Sequence, residues 1–192
     1  MPLPPLILVS ASPRRAELLR QSRFEFQTIA PNTPEAHPEH LTPSEICQIN
    51  AYRKARTIAK RHPDAVVLGA DTIVCLGRQV FGKPEDLATA YGMLAKLQGR
   101  THEVRTGVCL IHLRAHRQAL FVATTAVTFR HLHSEQIRRY LSKINPLDKA
   151  GGYAIQEEGD EIVKAICGSY SNVVGLPLYE TVALLNGCGY PR

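Results

Sequence analysis

Strand-like apolar runs alternate with helix-period patterns along most of this chain, and that alternation restricts its fold more than any other feature. Leu6–Ser10, Ala65–Leu76, Val104–Leu113 and Ala119–Phe129 are β-rich runs, and Phe24–Ile29 alternates as a strand does. Tyr153–Ile155 and Glu161–Ile166 read as short late strands after a Gly-rich turn at 151–152. A helix opens at Pro13 and turns Leu18 and Leu19 inward; further helical patterns cover Ser44–Arg61, Glu85–Leu97, Ser134–Ser142 and Pro177–Leu185. Gly99 is the stop after Leu97, and Ser134 is placed as a cap. Prolines 31, 34, 38 and 43 make residues 31–43 a loop. Strands alternating with helices predict an α/β fold, and the consecutive strands at 104–129 predict that part of the sheet is antiparallel. The 192 residues suit one domain over the whole of 1–192, with room for two lobes.

Composition excludes several classes. No stretch of about 20 apolar residues occurs, so no membrane span is expected. The start, Met1-Pro-Leu-Pro-Pro-Leu-Ile-Leu-Val9, lacks a basic region and its apolar run is short for a signal peptide, so a cytosolic start is expected. The five cysteines, at 47, 75, 109, 167 and 188, are odd in number and include no C-x-x-C, which favours reduced thiols over a disulfide framework. Cys75 and Cys109 lie in apolar runs as core fillers. His131-Leu-His133 would put both rings on one side of a strand without a third ligand, so surface or turn histidines are expected. Lys plus Arg number 23 against 17 Asp plus Glu, a net charge of +6 that favours an anionic partner. With the basic residues scattered and no Trp, a nucleic-acid-binding face is not expected.

Five constellations could carry chemistry. In Ser10-Ala-Ser12-Pro13-Arg14-Arg15 a strand gives way to a helix N-terminus, whose free N–H groups attract anions. Two arginines there oppose the helix dipole unless they share an anion, so a phosphate clamp and two solvated arginines are equally open readings. Asp71, in Gly69-Ala-Asp71-Thr72, is a carboxylate in an apolar run. At a strand end it could hold Mg²⁺ or act as a general base; a turn or edge aspartate is the rival reading. Gly77 to Pro84 approaches a P-loop, but Pro84 supplies neither the hydroxyl nor the N–H such a loop needs, which leaves Lys83 as a phosphate contact. Gln156, after Gly151-Gly-Tyr-Ala-Ile, offers a paired donor and acceptor to a base edge, or is simply an exposed strand-end glutamine. Ser169-Tyr-Ser-Asn172-Val-Val-Gly-Leu-Pro177 is a polar turn before the last helix.

Taken together these motifs resemble the Maf family of nucleotide pyrophosphatases, also called septum formation inhibitors. The resemblance runs in order through Ser10-x-Ser12-Pro13-Arg14-Arg15-x-Glu17-Leu18-Leu19, Ala51-x-x-Lys54-Ala55, Gly69-Ala-Asp71-Thr72-Ile-Val74 and Gly82-Lys83-Pro84. It continues through Pro146-Leu-Asp-Lys-Ala-Gly151, Tyr153-x-Ile-Gln156 and Asn172-Val-Val-Gly-Leu-Pro-Leu178. It implies an α/β fold of the Maf/ITPase-like kind, a bent mixed β-sheet flanked by helices with two lobes around a central cleft. It also implies a cytoplasmic enzyme that hydrolyses nucleoside triphosphates to the monophosphate and pyrophosphate with a divalent cation, Mg²⁺ or Mn²⁺. Arg14 after Ser-Pro, Thr72 after the Asp, and Gln156 in the late motif resemble the dTTP/UTP branch, which makes these three the implied specificity residues. The sister branch, acting on 7-methyl-GTP, has Trp, Gln and Glu there.

By the same resemblance Asp71 is the catalytic carboxylate and, with Glu35, a metal ligand. Ser12, Arg14, Arg15, Lys54 and Lys83 are implied phosphate-binding residues. The loop after the second strand departs from the family's acidic Asp-x-Asp-Glu run: it reads Asn32-Thr33-Pro34-Glu35, matching only at Glu35. Glu157 and Glu158 replace the small residues common after the glutamine, with consequences for base or ribose contacts. The expected partner is a nucleoside triphosphate, with no membrane and no nucleic acid; a homodimer stays open. Clearance of non-standard nucleotides fits the same chemistry. The rival readings are a pyrophosphatase for 7-methyl-GTP or another modified nucleotide, and a non-catalytic regulator of septum formation, against which Asp71, Lys54 and Lys83 argue.

Overall fold

The computed structural model describes residues 3–190. Its described strands form one mixed sheet. The run Leu-Ile-Leu-Val makes β1 (Leu6–Val9), buried along its whole length as a central parallel strand must be. It pairs in parallel with β2 (Gln27–Ile29) on one side and β3 (Val66–Leu76) on the other. A short strand, β4 (Gln79–Phe81), folds back antiparallel on β3. The order β2-β1-β3 then continues through β5 (Thr101–His112), β6 (Arg117–Phe129) and β7 (Val163–Cys167), the last antiparallel to β6. This is the mixed α/β sheet flanked by helices that the alternation predicts.

The chain divides into two compact units, and β3, β5 and β6 contribute residues to both. The first unit comprises the chain up to Asp71, Thr106–Ala123 and the stretch from Gly175 on. It contains α1 (Pro13–Arg20), α2 (Pro43–Ala59) and α7 (Leu178–Gly187). The start of α2 is fixed by a reciprocal cap: the Glu45 N–H donates to Thr42 Oγ1 at 3.3 Å, and the Thr42 N–H donates to Glu45 Oε2 at 2.7 Å. Ala51, Ala55 and Ile58 of α2 pack on Ile7, Val67 and Ile111. Two glycines let α2 lie directly on the sheet. A Cβ at Gly69 would sit 2.6 Å from the Ala51 carbonyl oxygen, and one at Gly107 would sit 2.4 Å from that of Cys47.

The second unit comprises Thr72–Arg105 and Thr124–Val174. It contains α3 (Leu87–Leu97), α4 (Ser134–Lys143), the single turn α5 (Gly159–Ile162) and α6 (Tyr170–Val174). Asp86 caps α3, accepting from the Thr89 N–H at 2.7 Å. Its core includes Leu94, Val104, Phe129, Ile137, Tyr140 and Tyr153. No helix among the described residues is long and apolar enough to cross a membrane.

Several local expectations are corrected. Phe24 is not part of β2; it leaves the ladder and packs edge-on against Tyr190, ring centroids 5.9 Å apart. Tyr153–Ile155 is not a strand. The Ala154 N–H donates to the Tyr140 hydroxyl at 3.0 Å and its carbonyl accepts from that hydroxyl at 2.9 Å, so one side chain replaces a ladder. Glu161 and Ile162 belong to α5, and β7 starts only at Val163. His133, not Ser134, is the residue before α4, its N–H donating to Gln136 Oε1 at 2.8 Å. The near-P-loop stretch is a hairpin, its turn using the left-handed φ of +61° at Gly77. The polar turn at 169–177 contains α6, a helix the sequence does not signal. His131 and His133 lie past the end of β6, exposed, as surface histidines. All five cysteines are free, with Cys75 and Cys109 buried.

Candidate active site

Asn50, Lys54, Glu35 and Arg15, all of the first unit, gather around Asp71. This residue lies in the middle of β3 and not at a strand end, which corrects the sequence expectation. It is only 2% exposed, and a carboxylate so buried needs partners. Lys54 Nζ lies 2.6 Å from its Oδ1, and the Asn50 amide donates to its Oδ2 at 3.3 Å. Asn50 and Lys54 are one helical turn apart on α2, so both meet the same strand. The close approach permitted by Gly69 brings that turn within reach.

Lys54 also donates to Glu35 Oε1 at 2.7 Å, so one ammonium joins two carboxylates. Lys54 is 5% exposed, whereas Glu35 reaches solvent. The Glu35 loop is itself tied down. The Ala36 N–H donates to Asn50 Oδ1 at 2.8 Å, and Asn50 Nδ2 donates to the Ala36 carbonyl at 3.1 Å. Asn50 therefore joins Asp71 to the loop that carries Glu35. Sequence reasoning missed it, although a polar residue on a helix face of Ile and Ala, four positions before Lys54, was a legible signal.

The other edge of this cluster comes from α1. The Ser12 N–H donates to Ser10 Oγ at 3.0 Å, and Ser12 makes no side-chain cap bond of its own, so the turn is held by Ser10. Arg15 is half-buried, and its Nε donates to the Gly175 carbonyl at 2.7 Å. This bond joins the first motif to the last, Asn172-Val-Val-Gly175, and removes the solvated-arginine reading for Arg15. Arg14 is half-buried beside it.

The charges perturb one another. Burial raises the Asp71 pKa above the ordinary aspartate range and Glu35 raises it further, while Lys54 and Arg15 pull it back. Burial lowers the Arg15 pKa, opposed by Asp71 and Glu35. A carboxylate with a raised pKa, next to cations and a half-exposed glutamate, is suited to taking a proton and to facing an anion.

Three of the expected residues belong to the second unit: Thr72 is half-buried, and Lys83 and Gln156 are exposed. Among the described residues no group of three or more His, Cys, Asp or Glu side chains could hold a metal ion. The donor set at Asp71 and Glu35 is two carboxylates on one ammonium. That set fits Mg²⁺ or Mn²⁺ carried with a polyphosphate, because Mg²⁺ takes one or two carboxylates and fills its shell with phosphate oxygens and water.

Comparison with known proteins identifies the family. The family model described as Maf-like protein matches residues 5–188. A dTTP/UTP pyrophosphatase of Symbiobacterium thermophilum is 46% identical over 187 residues, covering 97% of this chain and 95% of the relative. One of Akkermansia muciniphila is 43% identical over 188 residues, covering 98% of each. One of Myxococcus xanthus is 48% identical over 187 residues, 97% of this chain and 93% of the relative. With its motifs in order, its arginine turn tied to Gly175 and its buried Asp71 held from α2, the chain belongs to the Maf family.

Proposed function

We propose that this chain is a nucleoside triphosphate pyrophosphatase that converts dTTP and UTP to the monophosphate and pyrophosphate. The observation that carries the chemistry is Asp71, buried, raised in pKa and gripped by Lys54 and Asn50. Full-length similarity to proteins named dTTP/UTP pyrophosphatase supports the choice of substrate.

Water attacks the α-phosphorus, the bond from that phosphorus to the β-bridging oxygen breaks, and pyrophosphate leaves. Asp71 takes the proton of the attacking water through lone pairs not used by Lys54 and Asn50. Arg14, Arg15 and Lys54 carry positive charge toward the phosphoryl oxygens, where charge stabilisation is the main protein contribution. Ser12 sits in the turn held by Ser10 and presents the start of α1. Asp71 and Glu35 would hold a divalent cation, which supplies charge neutralisation of the phosphates and a more acidic water. Lys83 is assigned a phosphate contact, and Thr72 and Gln156 are assigned to the base. The free cysteines suit the reducing cytoplasm as the place of work.

The test is a panel of dTTP, UTP, CTP, dATP, GTP and 7-methyl-GTP, with and without Mg²⁺ or Mn²⁺, with products identified by ³¹P NMR. The expected result is metal-dependent release of pyrophosphate, fastest from dTTP and UTP. Release of inorganic phosphate instead, or preference for 7-methyl-GTP, overturns the proposal.

A further inference from the structure

The segment that carries Gln156 lacks ladder hydrogen bonds, yet it is anchored. On its N-terminal side the Tyr140 hydroxyl binds both backbone groups of Ala154. On its C-terminal side the anchors are ionic. Glu157 Oε1 lies 3.3 Å from Lys149 Nζ, and Glu158 Oε2 lies 3.0 Å from Lys143 Nζ. Lys149 is a firm post: it is 5% exposed and also donates to the Asn145 carbonyl at 2.7 Å and Asp148 Oδ1 at 2.8 Å. Lys143, in the last turn of α4, also grips Glu161 Oε1 at 2.6 Å. Glu158 adopts the left-handed region at φ +53°, ψ 24°, a conformation that disfavours a glutamate unless its side chain is engaged. Two consecutive acidic residues thus hold two different lysines from one exposed stretch, and residues of the second unit supply every part of the arrangement.

We propose that Glu157 and Glu158, with Lys149 and Lys143, form a two-point ionic clip that fixes Gln156 and thereby sets discrimination between pyrimidine bases, a proposal that rests on the reading above in which Gln156 meets the base. A carboxamide offers one donor and one acceptor. Uracil and thymine present a ring N–H beside a carbonyl, whereas cytosine presents a ring acceptor beside an amino group. Turning the carboxamide over reverses that order, so discrimination depends on the distance and angle at which the segment presents Gln156 to the base, and a pinned segment offers one such placement where a shifting one offers several. The residues that replace the family's small ones after the glutamine are therefore positioning residues.

UTP and CTP carry equal charge, so their kcat/KM ratio cancels the general electrostatic attraction for a triphosphate and isolates the base. The experiment measures this ratio for the wild type, for Glu157→Gln/Glu158→Asn, and for Glu158→Asp. Asn and Asp both tolerate the left-handed backbone, and Asp keeps the charge. In the double variant the UTP-to-CTP ratio is expected to fall about fivefold through a higher KM for UTP, with kcat within about twofold, as two ion pairs whose carboxylates reach solvent allow. Glu158→Asp is expected to retain the wild-type ratio. Raising NaCl from about 50 to about 500 mM should lower the wild-type ratio about twofold and leave that of the double variant unchanged.

An unchanged ratio in the double variant overturns the clip, as does an equal loss of kcat for both nucleotides. If the double variant does not fold, a wild-type ratio indifferent to salt overturns it. A wild type that treats UTP and CTP alike defeats the base-reading role of Gln156, and the clip with it. That outcome is visible before any substitution is made, so it is distinguishable from failure of the clip alone.

Discussion

Lys54 Nζ and Asp71 Oδ1 are 2.6 Å apart with both side chains almost wholly buried, and the same ammonium reaches Glu35 at 2.7 Å. Removing one member of a buried ion pair leaves the other desolvated and unpaired. Lys54→Met is therefore expected to destabilise the fold by about 3 kcal/mol in urea denaturation. Glu35, being partly in solvent, loses little. Turnover should fall with it even where the variant remains folded.

Gly69 makes that pair possible. A Cβ there would meet the Ala51 carbonyl oxygen at 2.6 Å and Ala55 Cβ at 2.9 Å, and backbone cannot yield as a flexible side chain would. Gly69→Ala should cost about 2 kcal/mol, seen as a lower Tm, and should push α2 off β3. Gly77→Ala offers a contrast. No atom lies within 4 Å of a Cβ there, and its cost comes only from the left-handed φ, about 1 kcal/mol.

The acid limb of the pH–rate profile should report Asp71. Burial and Glu35 raise its pKa above the ordinary aspartate range, so the proton-accepting form is lost as pH falls through that raised value. Glu35→Gln removes a negative neighbour, so the limb in kcat/KM for UTP should move to lower pH. Movement to higher pH would contradict the assigned electrostatics.

His102 predicts a separate pH effect, on stability. It is fully buried, its Nε2 is 2.8 Å from the Tyr153 hydroxyl, and its Nδ1 has no hydrogen-bond partner. Burial depresses its pKa to about 4. Since the folded-state value lies below the unfolded value near 6.5, protonation favours the unfolded chain. The neutral ring's contribution is complete above about pH 6.5 and is lost as pH falls toward 4, about 3 kcal/mol in all. Denaturation at pH 7.5 and 4.5 should show a steeper loss for the wild type than for His102→Phe.

Much of the first unit was legible because local rules and the tertiary structure agree there. The apolar run of β1 and Pro13 at the start of α1 each specify their element without help from distant residues, and the helical pattern read over Ser44–Arg61 falls on α2 to within two residues at each end. Asp71 was identifiable as the odd charge in an apolar run, but its mid-strand position was not. Only a partner from α2, about one and a half dozen residues earlier, makes a carboxylate tolerable there, and sequence spacing does not reveal that partner. Tyr153–Ile155 misled for a related reason: its composition suits a strand, yet the Tyr140 hydroxyl satisfies the backbone of Ala154. Asn50 was readable in principle, since its polarity breaks the apolar face of α2.

Pyrophosphate release from dTTP and UTP by the wild type and by Asp71→Asn tests the central claim most directly. With Mg²⁺ or Mn²⁺ present, the wild type should release pyrophosphate, and the variant should be slower by at least about a hundredfold, the scale of a lost general base. The variant's affinity for dTTP, read by titration calorimetry, should change little, because Arg14, Arg15 and Lys54 remain. A variant that turns over at the wild-type rate, or a wild type that releases no pyrophosphate from either nucleotide, would contradict the account.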